Sequence, residues 1–199
     1  MVGTYLSAMG SQVLLTDLPT LVENAIDCNL AHNEKITASI SNANDSPTNI
    51  ENECPQWLAP DEIRIGKGWA ATASLDWTRP VKEQLTTEQS SSIEFIVASD
   101  VVFLVSMLNS LFDTVDSIFC EASNNNPSFI LSFQRRDAKE GEESSLFTTV
   151  KGVLSAVEDR GWVCECLAWR PVAVRKEESN GAVTDAESEV FVFEIKPKS

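Results

Sequence analysis

Residues 93–100 read Ile-Glu-Phe-Ile-Val-Ala-Ser-Asp. From Phe95 to Ala98 the run is continuously apolar, and it closes on a Ser-Asp pair. An uninterrupted apolar run of this length is what a strand needs when helices cover both faces of a parallel sheet. C-terminal to it, apolar residues at 104, 105, 108, 111, 112, 115, 118 and 119 recur at helical spacing and predict a helix over Val101–Ala122. Asn124-Asn125-Asn126-Pro127 marks a turn, and Ser128–Gln134 (SFILSFQ) predicts a second strong strand. Glu142–Arg160 reads as a helix ended by Gly161. Val163–Leu167 and Glu189–Ile195 alternate apolar and polar residues across a polar loop, the pattern of an antiparallel hairpin.

N-terminal to residue 93, Val81–Ser92 is polar and reads as irregular, and Ala70–Trp77 (AATASLDW) reads as a short strand ending in Leu75-Asp76-Trp77. Residues 33–62, rich in Asn, Ser, Thr, Asp and Pro, show little periodicity and read as a disordered insertion. Before them, Pro19 opens a helix that runs to about His32. Gln12–Asp17 (QVLLTD) is a buried strand, and Val2–Met9 is a helix stopped by Gly10. Strands alternating with helices predict a single α/β domain over 1–199, a doubly wound sheet with a C-terminal antiparallel hairpin. Ligands in such sheets bind outside the carboxyl ends of the strands. Three of those ends carry polar residues: Thr16-Asp17, Asp76-Trp77 and Ser99-Asp100. They are expected to converge on one rim.

Composition narrows the function. The 199 residues carry 30 Asp+Glu against 15 Lys+Arg, a formal net charge of -15. That balance opposes nucleic-acid binding through a basic surface and a polybasic membrane contact. No apolar run reaches the ~18 residues of a membrane span. Five cysteines without a secretory leader fit reduced thiols in the cytoplasm, with the nucleus as the other reducing compartment. Cys164 and Cys166 would share one face of a strand, but zinc needs further ligands and His32 is the sole histidine, so no metal is expected. The single histidine and the absence of a Gly-x-Ser-x-Gly elbow also weaken a hydrolase reading.

Each rim residue has a functional and a structural reading. An acid at the end of a strand, as Asp17 is, can accept both hydroxyls of a ribose, or cap the helix at Pro19. Trp77 can line a flat base, or simply pack half-buried. Asp100 can orient an amine, or cap a helix beginning near Val101.

Taken in order, Val13-Leu14-Leu15-Thr16-Asp17-Leu18-Pro19, Leu75-Asp76-Trp77, Ala98-Ser99-Asp100-Val101-Val102-Phe103, and Phe129-Ile130-Leu131 with Arg135-Arg136 resemble the seven-β-strand protein-lysine methyltransferases, methyltransferase family 16. The resemblance implies a Rossmann-like seven-strand fold with a mostly parallel sheet, S-adenosylmethionine as methyl donor, and a lysine-bearing protein as substrate. It places Asp17 at the ribose, Trp77 against the adenine and Ala98 at the wall of the cofactor pocket. Leu18, Asp76 and Ser99 stand beside them in the cofactor site. Asp100 would open the family's Asp-x-x-Tyr motif at the methyl-transfer centre, with Phe103 in the tyrosine position. The family's first strand and glycine-rich loop have no counterpart here. We therefore expect them upstream of Met1, and expect the 199-residue chain alone to bind the donor weakly or not at all. Two other readings stay open: a non-catalytic methyltransferase-like binding or scaffold protein, and a methyltransferase acting on another nitrogen or on a small molecule.

Overall fold

The computed structural model describes residues 2–34, 54–58, 62–102, 104–135, 148–177 and 183–198, with the backbone alone over 175–177 and 183–186. The chain forms two compact units, Met1–Gln89 and Ser90–Ser199.

In the first unit, helix α1 (Val2–Met9) leads into β1 (Gln12–Asp17). Gly10, at φ 116°, ends the helix, and its N–H returns to Ser7 O at 2.9 Å. Helix α2 opens at Pro19–Leu21, passes through a π-helical turn at Val22–Ile26 and continues to residue 34. Strands β2 (Ile63–Ile65) and β3 (Gly68–Ser74) complete a sheet of order β1-β3-β2, with β1 parallel and β2 antiparallel to β3. Leu30, Ile65 and Ala70 form the core, with Leu15, Ile26 and Ile63 packed on it. Ser7 is fully buried, and its hydroxyl lies 3.2 Å from both Gly3 O and Trp69 O, holding α1 against β3. The backbones approach so closely there that a Cβ on Gly68 would sit 2.5 Å from Ser7 O and 2.8 Å from Gly10 C.

Three expectations for this unit are revised. The strand expected at 70–77 stops at Ser74, leaving Leu75–Asp76–Trp77 beyond its end. Residues 35–53 and 59–61 of the expected insertion lie outside the described residues, but a 3-10 turn at Gln56–Leu58 buries Leu58 to 1% exposure. Burial of one large apolar side chain ties down a segment whose composition reads as irregular. The tract 81–92 is also structured, with a 3-10 turn at Val81–Glu83 and helix α3 (Thr87–Ser91). Val81 and Leu85 are buried there, and Thr86 and Gln89 exchange side-chain bonds to each other's N–H at 3.1 and 2.9 Å. That reciprocal pair is a capping box.

The second unit contains β4 (Phe95–Ser99), α4 (Val105–Glu121), β5 (Ser128–Gln134), α5 (Val150–Asp159), β6 (Val163–Glu177) and β7 (Val183–Lys196). Its sheet has the order β4-β5-β7-β6, with β4 parallel to β5 and β7 antiparallel to both neighbours. Phe112 is fully buried, edge-on to Phe129 at 6.1 Å and tilted against Trp162 at 5.5 Å, and Phe119 meets Trp162 at 5.2 Å. This aromatic cluster seats α4 on the sheet. The helix expected over 142–160 begins only at Val150, because the Thr149 side chain accepts the Gly152 N–H at 3.0 Å and caps it. Residues 136–147 lie outside the described residues. The hairpin is longer than its apolar pattern, pairing from Val163↔Lys196 out to Glu177↔Val183. Backbone pairing has carried the ladder through residues whose polarity reads as loop.

The α/β class and the C-terminal hairpin are therefore as expected. The described strands fall into two mixed sheets, one in each unit. Among the described residues β1 pairs with β3 alone and β4 with β5 alone.

Candidate functional site

At the carboxyl end of the first sheet, Asp17 lies in register with Ser74. The Asp17 carbonyl accepts the Leu75 N–H at 2.8 Å, so β1 and the stretch after β3 are joined where both strands end. This brings Asp17, Leu18, Asp76 and Trp77 to one end of one sheet. Asp17 is exposed, and its Oδ1 accepts the N–H of Leu18 at 2.8 Å. It does not cap α2, whose N-cap is Leu18 with no side-chain bond. A carboxylate has about four acceptor positions, so one backbone N–H leaves room for a ligand's donors. Leu18 is 45% exposed.

Trp77 is half-buried on a tight turn. Two residues shape that turn, and the strand pattern pointed to neither. Thr78 donates to Asp76 Oδ1 from its N–H at 2.9 Å and its hydroxyl at 2.7 Å. These two bonds, the hydroxyl's first, hold the Asp76 carboxyl below its ordinary value, and Arg79 adds a smaller pull in the same direction. Gln84 fastens the other side. Its Oε1 accepts the Asp76 N–H at 2.7 Å, while its Nε2 lies 2.9 Å from Asp76 O, 3.1 Å from Arg79 O and 3.3 Å from Pro80 O. The Asp-x-Thr order was a readable turn signal. Gln84, eight residues on from Asp76, left no periodic trace.

In the second unit, Ala98 is buried at 9% exposure and Ser99 is exposed at the end of β4, opposite Ser132. Asp100 follows in the left-handed region, at φ 54°. Its N–H donates to Ser132 O at 3.0 Å, continuing the β4–β5 ladder one residue past the strand. Asp100 does not cap a helix, because α4 begins at Val105 with Leu104 as its N-cap. Left-handed backbone is uncommon for any residue but glycine, and Asp and Asn are the side chains that tolerate it best. Phe103 lies outside the described residues.

The sequence can now be set against known proteins. Residues 61–152 match the lysine methyltransferase family. The matched span takes in Leu75–Asp76–Trp77 and Ala98–Ser99–Asp100 and leaves out Asp17, and over that span the resemblance read from the sequence is borne out. A family of this kind implies S-adenosylmethionine as methyl donor. No curated protein matches the chain. Among solved structures, it is similar to a SAM-dependent methyltransferase from Methanosarcina mazei at 17% identity and a TM-score of 0.46, over 98% of this chain and 86% of that one. A second similar structure comes from work on the conversion of a disulfide bond into a thioacetal group during echinomycin biosynthesis, at 11% identity and a TM-score of 0.49, over 98% and 71% of the two chains. No helix among the described residues is long and apolar enough to cross a membrane.

Proposed function

We propose that the chain is an S-adenosylmethionine-dependent protein-lysine N-methyltransferase. The observation that carries the proposal is the lysine methyltransferase match across both rim motifs, Leu75–Asp76–Trp77 and Ala98–Ser99–Asp100. Bound, the donor supplies an electrophilic methyl group on a sulfonium. The residues present suit its adenosine half in chemistry: the exposed Asp17 carboxylate for a ribose diol, and the half-buried Trp77 indole for adenine. Asp76 acts through the turn that presents Trp77.

Asp100 would accept hydrogen bonds from the incoming lysine amine and orient its lone pair, most of the catalysis being positioning. A free lysine, with a pKa near ~10.4, must lose its proton before it attacks, and a partly desolvated amine loses it more readily. The acidic charge of the chain suits a basic protein target, and free thiols at all five cysteines suit a cytoplasmic or nuclear setting.

The test is methyl transfer from labelled donor to lysine-bearing peptides. Asp100→Asn tolerates the left-handed backbone, removes the charge and replaces one acceptor oxygen by a donor. We expect it to lower turnover by roughly 10²-fold or more, and Asp17→Asn to raise the KM for the donor. Unchanged turnover in Asp100→Asn removes Asp100 from the mechanism. The non-catalytic reading is favoured by one observation, the one-sided pairing of β1 and β4 among the described residues. Calorimetric titration of the chain with S-adenosylhomocysteine separates the two: micromolar binding sinks the non-catalytic reading, and no binding leaves it standing.

A further inference from the structure

The second unit holds a pair of thiols that the proposed methyl transfer does not use. Among the described residues strand β6 is an edge of its sheet, bonded to β7. Cys164 lies opposite Ile195 and Cys166 opposite Phe193 in the ladder. Paired residues share a face, and Ile195 and Phe193 are 0% and 3% exposed, so both thiols sit on the core-facing side of the sheet at its margin. Cys164 is half-buried and Cys166 is exposed, which leaves the pair reachable from solvent. Immediately beyond, the register slips between Cys166 and Ala168, with Leu167 as the extra residue. The Cys166 Sγ lies 3.4 Å from Ala168 O across this bulge. Cys164 also lines a recess with Val157, Trp162 and Lys198.

Residues two apart in a strand have Cα atoms about 6.6–6.8 Å apart. That is the upper limit for a direct disulfide, at ~6.8 Å. A bridging ion relaxes the demand, since two metal–sulfur bonds of about 2.3 Å span a wider gap. Zinc favours four ligands, and no group of three or more His, Cys, Asp or Glu that could hold a metal exists among the described residues. A soft monovalent cation needs only two thiolates and prefers them.

We propose that Cys164 and Cys166 form a two-coordinate site for a soft thiophilic cation, copper(I). Binding forms two copper–sulfur bonds and releases two thiol protons to solvent, with no change in oxidation state. The bound pair carries one net negative charge, and the recess beside Cys164 presents one cation, Lys198, and one anion, Glu158.

The experiment is anaerobic titration with copper(I) against a chromophoric chelator, using the full chain with Cys28, Cys54 and Cys120 changed to serine. We expect one equivalent bound, and at least a 100-fold weaker affinity when either Cys164→Ser or Cys166→Ser is added. X-ray absorption of the copper-loaded triple variant should show two sulfur neighbours, and it reads the site even where a further substitution disturbs folding. Unchanged affinity in either added variant, or a first shell of nitrogen and oxygen, overturns the proposal.

Discussion

Replacing Gln84 by methionine keeps the side-chain length and removes every polar bond it makes. In the structure that one amide closes the Asp76–Pro80 turn through two short bonds to Asp76, at 2.7 and 2.9 Å, and two longer contacts to Arg79 O and Pro80 O. A net hydrogen bond contributes about 0.5–1.5 kcal/mol, so the two short ones together hold the turn by about 1–3 kcal/mol. At about 1.4 kcal/mol per factor of ten, that loss should raise the local opening population about 5–150-fold. Amide hydrogen exchange reads it directly. The Asp76 amide should exchange faster by that factor, while the amides of β3, whose bonds run to β1 and β2, keep their protection. If the turn presents Trp77 to a nucleotide, affinity for S-adenosylhomocysteine should fall over the same range, because the bound state must restore the order that was lost. Unchanged exchange at Asp76 in Gln84→Met refutes the account of the turn. Faster exchange with unchanged affinity spares that account and removes Trp77 from the binding site.

Phe112→Ala, at a fully buried ring with two aromatic neighbours, should destabilise by about 3–5 kcal/mol. For a chain of this size that lowers Tm by roughly 6–20 °C; a shift under about 2 °C in a thermal melt would contradict the packing described. Gly68→Ala should cost at least about 1–3 kcal/mol in urea unfolding, since its Cβ would meet the backbone of Ser7 and Gly10 rather than a side chain that can move aside. The Asp76 carboxyl, held low by Thr78, stabilises the turn fully above its unfolded value of 3.8, and the contribution is lost only as pH falls through the still lower folded value. The Thr78 amide resonance should therefore titrate with a midpoint below 3.8, and a midpoint above it would sink the assignment.

The elements that the sequence made legible are those whose burial is written into local periodicity. Strand β5 fell on its expected residues, and α4 within four residues at its start, because each buries an unbroken apolar face. What stayed hidden depends on partners distant in the chain. Thr149 makes α5 start later than its pattern by capping it through Gly152, and no apolar spacing foretells where a cap will set a helix start. The polar half of the hairpin is strand because β6 and β7 zip onward once their apolar halves have met. At the site, Asp17, Asp76 and Asp100 were readable as acids at strand ends. Their capping role was the wrong structural alternative for Asp17 and Asp100, since α2 and α4 begin later than the acids suggest. Gln84 was invisible because its function is a backbone clamp eight residues away.

The order β4-β5-β7-β6 has a consequence for how the second unit is made. Its inner strand β7 is the last in sequence, and β5 must wait for it: Phe129 pairs with Ile195, and Ser128 donates to Glu194 across 66 positions. At translation rates of about 5–20 residues per second, β5 spends roughly 3–13 seconds with one side open after it emerges. During that interval the helix α4 and its aromatic cluster can form only in part, because Trp162 also comes late. Glu189 then closes the assembly, with one oxygen on Arg135 beside β5 at 2.9 Å and the other on Trp169 of β6 at 3.1 Å. A premature stop before residue 190 would therefore leave β5 with β4 as its one partner and strip β6 of its ladder from Val163 to Arg170, making the chain a substrate for chaperones and proteases rather than a slightly shortened protein.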